Sequence, residues 1–304
     1  MAERIEVIIP VYRPGREFEK LILRLKKQTR LPDGIHVINT ISDHFPARFC
    51  MEQGIRVTHI EKEQFDHGGT RDMGIRQSDA DIIVFMTQDA VPCDQYLIEN
   101  LIKPFERDDV GVTYARQLPR KDCHIIERYT RSFNYPEKSR LKGKEDLPVL
   151  GIKTFFCSDV CAAYSKKAYE ETGGFEKKTI FNEDMILAGH MIEKGYKIAY
   201  AAEARVIHSH NYTGVQQFHR NFDLAVSQAD HPEVFAGIAS ESEGIRLVKN
   251  TAKYLLREKK GWMIPKLVWQ SGCKYLGYRL GRSYRKLPFW LIKKCTMSQS
   301  YWEK

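Results

Sequence analysis

No stretch of this 304-residue sequence approaches the roughly 18 consecutive apolar residues of a membrane-spanning helix. The most apolar run of its last third, residues 287–292, is far too short. The amino-terminal MAERIEVIIPVY has no basic segment followed by an apolar one, so a secretory signal is not expected and a cytoplasmic location is. Seven cysteines, an odd number, are scattered, with no C-x-x-C pair and no histidine at zinc-finger spacing around Cys157 and Cys161. That argues against a disulfide framework and against structural zinc. The first turn, Pro10-Val11-Tyr12-Arg13-Pro14-Gly15, holds one glycine where a dinucleotide fingerprint needs G-x-G-x-x-G, and no G-x-x-x-x-G-K-[ST] occurs anywhere. Dehydrogenase and P-loop chemistries are thereby disfavoured. There is neither an internal repeat nor a low-complexity segment.

An apolar content of 42% can supply a real core for one large α/β domain and an appendage. The net charge of +9 is unevenly placed: residues 241–304 carry 15 basic and 4 acidic side chains, leaving 33 and 35 for the first 240. The excess therefore lies wholly in the tail.

Short β-rich runs alternate with helical patterns through the first half, the sign of βαβ units. IEVIIPVY (5–12), IHVINT (35–40), IRVTHI (55–60) and DIIVFMT (81–87) read as strands, the last buried on both faces. Phe18, Leu21, Ile22 and Leu25 share one helical face, and Asp94 is placed to cap a helix carrying Ile98, Leu101, Ile102 and Phe105. Residues 120–148 are polar without a sustained period and read as a connecting excursion. KTFFCSDVCAAYS (153–165) reads as a strand entering a helix, residues 183–194 as a helix stopped by Gly195, and residues 197–210 as two short strands. From Gly214 onward the pattern is helical, with Ile245, Val248, Ala252, Leu255 and Leu256 on one face.

Four clusters carry chemistry. In FDHGGTRDMG (65–74), Gly68 and Gly69 precede Thr70, Arg71 and Asp72, with a helix expected from Asp72 to Gln77. This is either a cradle for phosphate or sugar hydroxyls or a glycine turn with an Arg71 ion pair. Thr87-Gln88-Asp89 ends the most apolar strand, where ligands of open α/β sheets bind. Asp89 there is either a turn residue or a ligand for Mg²⁺ or Mn²⁺ shared with a diphosphate. Glu183 and Asp184 open a helix, either as an acidic cap favoured by the dipole or as the source of a general base. His208 and His210, alternate on a strand, share one face toward a metal or phosphate.

In this order the clusters resemble family 2 of the inverting glycosyltransferases, with a GT-A type α/β fold and a mostly parallel central sheet. The similarity runs from Ile5 to about Tyr212. The resemblance implies that Pro10 and Tyr12 help hold a nucleotide, with Gly69, Arg71, Asp72, Gln88 and Asp89 also on the donor side. It implies Asp89 and His208 as ligands of Mg²⁺ or Mn²⁺, Asp184 as catalytic base, and Ser158, Asp159 and Glu183 on the acceptor side. HGGTRDMG, TQDA, FFCSDVCAAYS and QQFHRNFD are similar to the rhamnosyltransferase branch that builds surface polysaccharides. That branch implies dTDP-β-L-rhamnose as donor, a polyprenyl-linked saccharide as acceptor and an α-L-rhamnoside as product. Two departures stand out: Thr87-Gln88-Asp89 has one carboxylate where the family has D-x-D, and Asn39-Thr40 ends the second strand where an aspartate is usual.

The domain boundary expected is a catalytic region of residues 1–213 and a helical, basic region of residues 214–304. Its lysines and arginines interleave with Trp262, Trp269, Tyr275, Tyr278, Phe289 and Trp290, which suits the inner face of an anionic cell membrane. A solvated helical face and a nucleic-acid surface are the competing readings of that tail, and no nucleic-acid motif accompanies the charge. For the whole chain the alternatives are a UDP- or GDP-sugar transferase, a non-catalytic scaffold and a nucleic-acid-binding protein.

Overall fold

The computed structural model describes residues 3–237 and 241–303. In chain order the first elements are β1 (Ile5–Tyr12), α1 (Arg16–Leu25), β2 (Gly34–Thr40), α2 (Ala47–Glu52), β3 (Arg56–Ile60), α3 (His67–Arg76), β4 (Ile82–Met86), β5 (Val91–Pro92), α4 (Leu97–Ile102) and β6 (Val110–Leu118). Then come α5 (Ile125–Asn134), β7 (Arg140–Lys142), α6 (Leu147–Leu150), β8 (Cys161–Ser165), α7 (Lys166–Glu171), α8 (Glu183–Glu193) and β9 (Lys197–Ile207). The last are α9 (Gly214–Asp230), α10 (Pro232–Phe235), α11 (Glu241–Arg257), α12 (Ile264–Arg282) and α13 (Phe289–Cys295). The chain divides into two compact units. One takes the chain up to Arg120 with Tyr135–Lys177 and Glu183–His208; the other takes Lys121–Asn134, Lys178–Asn182 and everything from Ser209.

The first unit is built on one sheet of order β3-β2-β1-β4-β8-β6-β9-β5, with β7 on β9. Pairing is parallel from β3 through β4 and again between β6 and β9, while β8 lies antiparallel between β4 and β6. The near-continuous apolar sequence of β4 follows from its central place: every residue of Ile82–Met86 is buried. Helix α1 seals the sheet with Phe18, Leu21, Ile22 and Leu25, the stripe that its 3.6-residue period sets up. Strands β1 and β4, being parallel neighbours, release their following segments at the same sheet edge.

Several sequence expectations change. Helix α3 begins at His67, five residues before the expected Asp72, because the Asp66 side chain caps it by accepting from the Gly69 N–H at 2.6 Å. Asp94 is not the cap of α4. Its carboxylate accepts from the Tyr96 N–H and pairs with Arg205 at 2.7 Å, and Tyr96 stands at the helix boundary. The excursion after Arg120 contains a helix, α5, and a short strand, β7. Residues 153–160 form a 3₁₀ turn and a loop before β8, and residues 197–207 are one strand whose register shifts between Ala201 and Arg205.

The second unit packs α9, α11, α12 and α13 with α5. One cluster joins Phe222 and Val226 of α9 to Ile292 and Cys295 of α13, and another joins Ile126, Leu255 and Leu267. Of the expected face on α11, Val248, Ala252 and Leu255 pack inward, whereas Ile245 and Leu256 are exposed. Among the described residues no helix is long and apolar enough to cross a membrane, and all seven cysteines are free thiols.

Candidate active site

The site of the first unit is organised by Arg71. Its position on α3 is possible because Gly68 lets the helix approach the loop after α7: a Cβ at Gly68 would stand 2.1 Å from the Glu176 carbonyl oxygen. Gly68 is thus a close-packing device inside a helix rather than part of an open loop. The buried guanidinium of Arg71 meets Asp159 Oδ2 at 3.0 Å and Glu183 Oε1 at 3.1 Å, and donates to the His67 carbonyl at 2.8 Å. Burial opposes its charge, but the carboxylates of Asp159, Glu183 and Asp184 outweigh burial and hold its pKa above the usual arginine range.

Three carboxyls around one guanidinium leave a surplus of negative charge in a low-dielectric place. Burial pushes the Asp159 carboxyl up to about 6, despite Arg71 and a 2.6 Å bond from the Tyr164 hydroxyl. Asp184 is raised well above the ordinary carboxylate range, first by burial and then by the charges of Glu183 and Asp159. Two backbone donors hold it in place, the N–H of Asp159 at 3.2 Å and that of Met185 at 2.8 Å. Asp159 and Glu183 are closed off, at 3% and 8% exposure, whereas Asp184 is only partly buried. It is therefore the carboxylate of the three that a solvent-side group can reach.

Asp89 sits in the turn after β4, with Oδ1 3.6 Å from His208 Nε2 and Oδ2 3.4 Å from Arg120. Behind His208, its Nδ1 meets Gln117 Oε1 at 3.0 Å, and Gln117 Nε2 reaches the Tyr135 hydroxyl at 2.6 Å and Ser158 Oγ at 3.0 Å. Ser158 and Asp159 thus join the two halves: the first belongs to the Asp89–His208 network and the second to the Arg71–Asp184 network. One carboxylate oxygen and one imidazole nitrogen, backed by a side-chain amide, form a donor set suited to a borderline divalent ion such as Mn²⁺.

Other expected residues make structural contacts. Gln88 accepts from the Tyr12 N–H at 2.9 Å and donates to its carbonyl at 3.1 Å, tying the ends of β1 and β4 together. The Tyr12 ring is 41% exposed, with the Arg13 guanidinium 5.4 Å from its centroid. Pro10 lies within β1, and Gly69 supplies the N–H that Asp66 caps. Asp72 is engaged by the Tyr169 hydroxyl and Arg76, both at 2.9 Å, so it anchors α3 to α7. His208 and His210 are not alternate strand positions, because β9 ends at Ile207; the ring of His210 lies against Tyr212 in the second unit.

Sequence reading missed Gln117, Arg120, Tyr164 and Lys142. Lys142 is almost fully buried, with its ammonium aimed at three oxygens: the carbonyls of Lys153 (3.0 Å) and Phe156 and the Tyr114 hydroxyl (3.3 Å). It therefore pins the turn that leads into Ser158 and Asp159. Burial holds its pKa down to about 7.

Comparison with known proteins follows the same lines. Residues 6–173 match the family model of Glycosyl transferase family 2. Over 98% of its length the chain is 39% identical to the O-antigen chain rhamnosyltransferase RfbN of Salmonella typhimurium, of which it covers 96%. It is 36% identical, over 97% of its length and 95% of the relative, to the O-antigen chain rhamnosyltransferase WbaN of Salmonella anatum. The mannosyltransferase PcManGT from Pyrobaculum calidifontis, solved with GDP-Man and Mn²⁺, shares the fold with a TM-score of 0.60 at 16% identity, over 99% of this chain and 85% of that one. S. aureus TarS 1-349, solved with UDP-GlcNAc, does so with a TM-score of 0.55 at 13% identity, over 93% and 92%.

Proposed function

We infer the reaction from a single premise: this chain belongs to glycosyl transferase family 2 and is a glycosyltransferase of GT-A type fold. It moves L-rhamnose from dTDP-β-L-rhamnose to a hydroxyl of a polyprenyl-linked saccharide during surface polysaccharide synthesis. Near full-length similarity to two O-antigen chain rhamnosyltransferases supports the sugar and the pathway class. The observation that carries the mechanism is Asp184, the accessible member of a buried carboxylate cluster with its proton affinity raised.

Asp184 takes the proton of the acceptor hydroxyl. That oxygen attacks the anomeric carbon on the face opposite the leaving diphosphate, and the configuration inverts. A raised pKa makes Asp184 a stronger base than a solvated aspartate. The N–H groups of Asp159 and Met185 keep its carboxylate from turning away. Asp89 and His208 would hold the Mg²⁺ or Mn²⁺, which supplies positive charge to the departing diphosphate. Arg120, 3.4 Å from the other oxygen of the Asp89 carboxylate, would hold that carboxylate in place and add a guanidinium on the same side. Tyr12, on the exposed edge, offers a ring for the base.

The enzyme works at the inner surface of the cell membrane. Support comes from the basic second unit, where Trp262, Trp269, Tyr275, Phe289 and Trp290 are more than half exposed. The test is to offer the protein dTDP-rhamnose, UDP-sugars and GDP-mannose with lipid-linked acceptor extracts. Rhamnose transfer from dTDP-rhamnose alone is expected, and selective use of a UDP- or GDP-sugar would replace the donor assignment.

A further inference from the structure

The second unit contains a small cleft, open to solvent and lined by polar and apolar side chains, that no step above uses. One wall is α12. Lys266, Gln270 and Lys274 fall at i, i+4 and i+8 and so share a face. The facing wall brings His124, Glu127 and His210. The walls are fastened to one another: Gln270 donates to the Tyr212 carbonyl at 3.3 Å, and the Asn211 side chain bonds the backbone of His124 (2.8 Å) and Asp122 (3.0 Å).

The charges in this cleft do not balance. Glu127 is its one acid, and that carboxylate is already bound by Arg131 at 2.7 Å. Lys274 is partly buried, and among the described residues its ammonium has neither a hydrogen bond nor an ion pair. Burial lowers its pKa, Glu127 favours its charge, and Arg131 and Arg220 disfavour it. Lys266 is likewise without a partner among the described residues, and exposed. A partly buried cation in one cleft with a second lysine and the His124 imidazole is an incomplete arrangement, and a compact multivalent anion completes it.

We propose that this cleft is an anion site for a phosphate or diphosphate group, held by Lys266 and Lys274 with Gln270 and His124 as further donors. Two sources carry such a group: a free phosphate anion, or the phosphate through which an acceptor saccharide is attached to its lipid. The second rests on the acceptor assigned above.

The experiment is calorimetric titration of the full chain in excess chelator, which removes any metal-bridged diphosphate binding, with inorganic pyrophosphate and with geranyl diphosphate. Binding of at least one is expected. Lys274→Met and Lys266→Met should each weaken it about fivefold or more, Lys274→Arg should retain most of it, and Lys144→Met, on the other unit, should leave it unchanged. Tighter binding of geranyl diphosphate than of pyrophosphate assigns the site to a lipid-borne group, and equal binding assigns it to a free anion. No binding at millimolar concentration, or equal binding by the two Met variants and the unaltered chain, overturns the site. Donor turnover by the unaltered chain is followed separately: its absence with anion binding intact would sink the transferase reading and leave the site standing.

Discussion

Asp184 and its neighbour Asp159 have the same side chain and opposite surroundings. One is partly open and held by two N–H groups; the other is closed in against Arg71 and Tyr164. Asp184→Asn should therefore abolish transfer while leaving donor affinity within a few-fold, since the amide keeps the shape and cannot take the proton. Near wild-type turnover in that variant would remove Asp184 from the role of base. Because its pKa is raised, the base form is lost on acidification earlier than for a solvated aspartate. The acidic limb of kcat should accordingly lie above the usual carboxylate range. At Asp89 the expected outcome is loss of activity in excess chelator, with Asp89→Ala raising the Mn²⁺ concentration needed for donor use. Full activity in chelator would show that the single carboxylate of Thr87-Gln88-Asp89 has made the ion dispensable, leaving His208 and Arg120 to neutralise the leaving group.

Among the elements, α3 shows how much the sequence could tell and where it stopped. Arg71 and its two glycines announce a site, yet Gly68 is required by a carbonyl contributed from more than a hundred residues away, and no local pattern contains that neighbour. Gly68→Ala should lower stability by about 1 to 3 kcal/mol through overpacking and reduce turnover by displacing Arg71, read as a fall in Tm together with kcat. An unchanged Tm would mean that the loop after α7 yields freely. The core strands and α1 were legible because burial on one or both faces writes a period into the sequence. Helix α5 was not, since only Ile126 of its ten residues is buried. Gln117 was hidden for a related reason: a polar residue at the end of β6 looks like a strand boundary until His208 and Ser158 are seen on its two ends.

For the whole molecule, the separation of charge between an acidic-to-neutral first 240 residues and a tail of +11 predicts where the protein sits. Full-length protein should sediment with anionic vesicles, less with neutral ones, and be partly released by salt. Each basic residue near the surface contributes about 1 kcal/mol within a Debye length, while the exposed tryptophans hold on regardless. Equal binding to neutral and anionic vesicles, or better competition by duplex DNA than by anionic lipid, would overturn the membrane assignment.

The buried ammonium of Lys142 has a consequence for heat as well as for shape. Its folded pKa of about 7 lies far below that of a free lysine, so the unfolded chain takes up a proton there between roughly pH 7 and 10, and stability rises with pH across that window. Asp159 and Asp223, each raised to about 6, act in the opposite sense between roughly pH 4 and 6. There the folded chain holds protons that the unfolded chain has released, offset in part by His36, which burial lowers to about 4. Unfolding should thus release protons in mildly acidic solution and, through Lys142 and Lys274, absorb them just above neutrality, before the thiols that burial raises, Cys157 and Cys161 among them, act in the opposite sense at higher pH. Calorimetric unfolding enthalpies measured in buffers of different ionisation heat should reverse their order on crossing neutrality, and Lys142→Met should shrink the alkaline half of that reversal, leaving the part that Lys274 contributes.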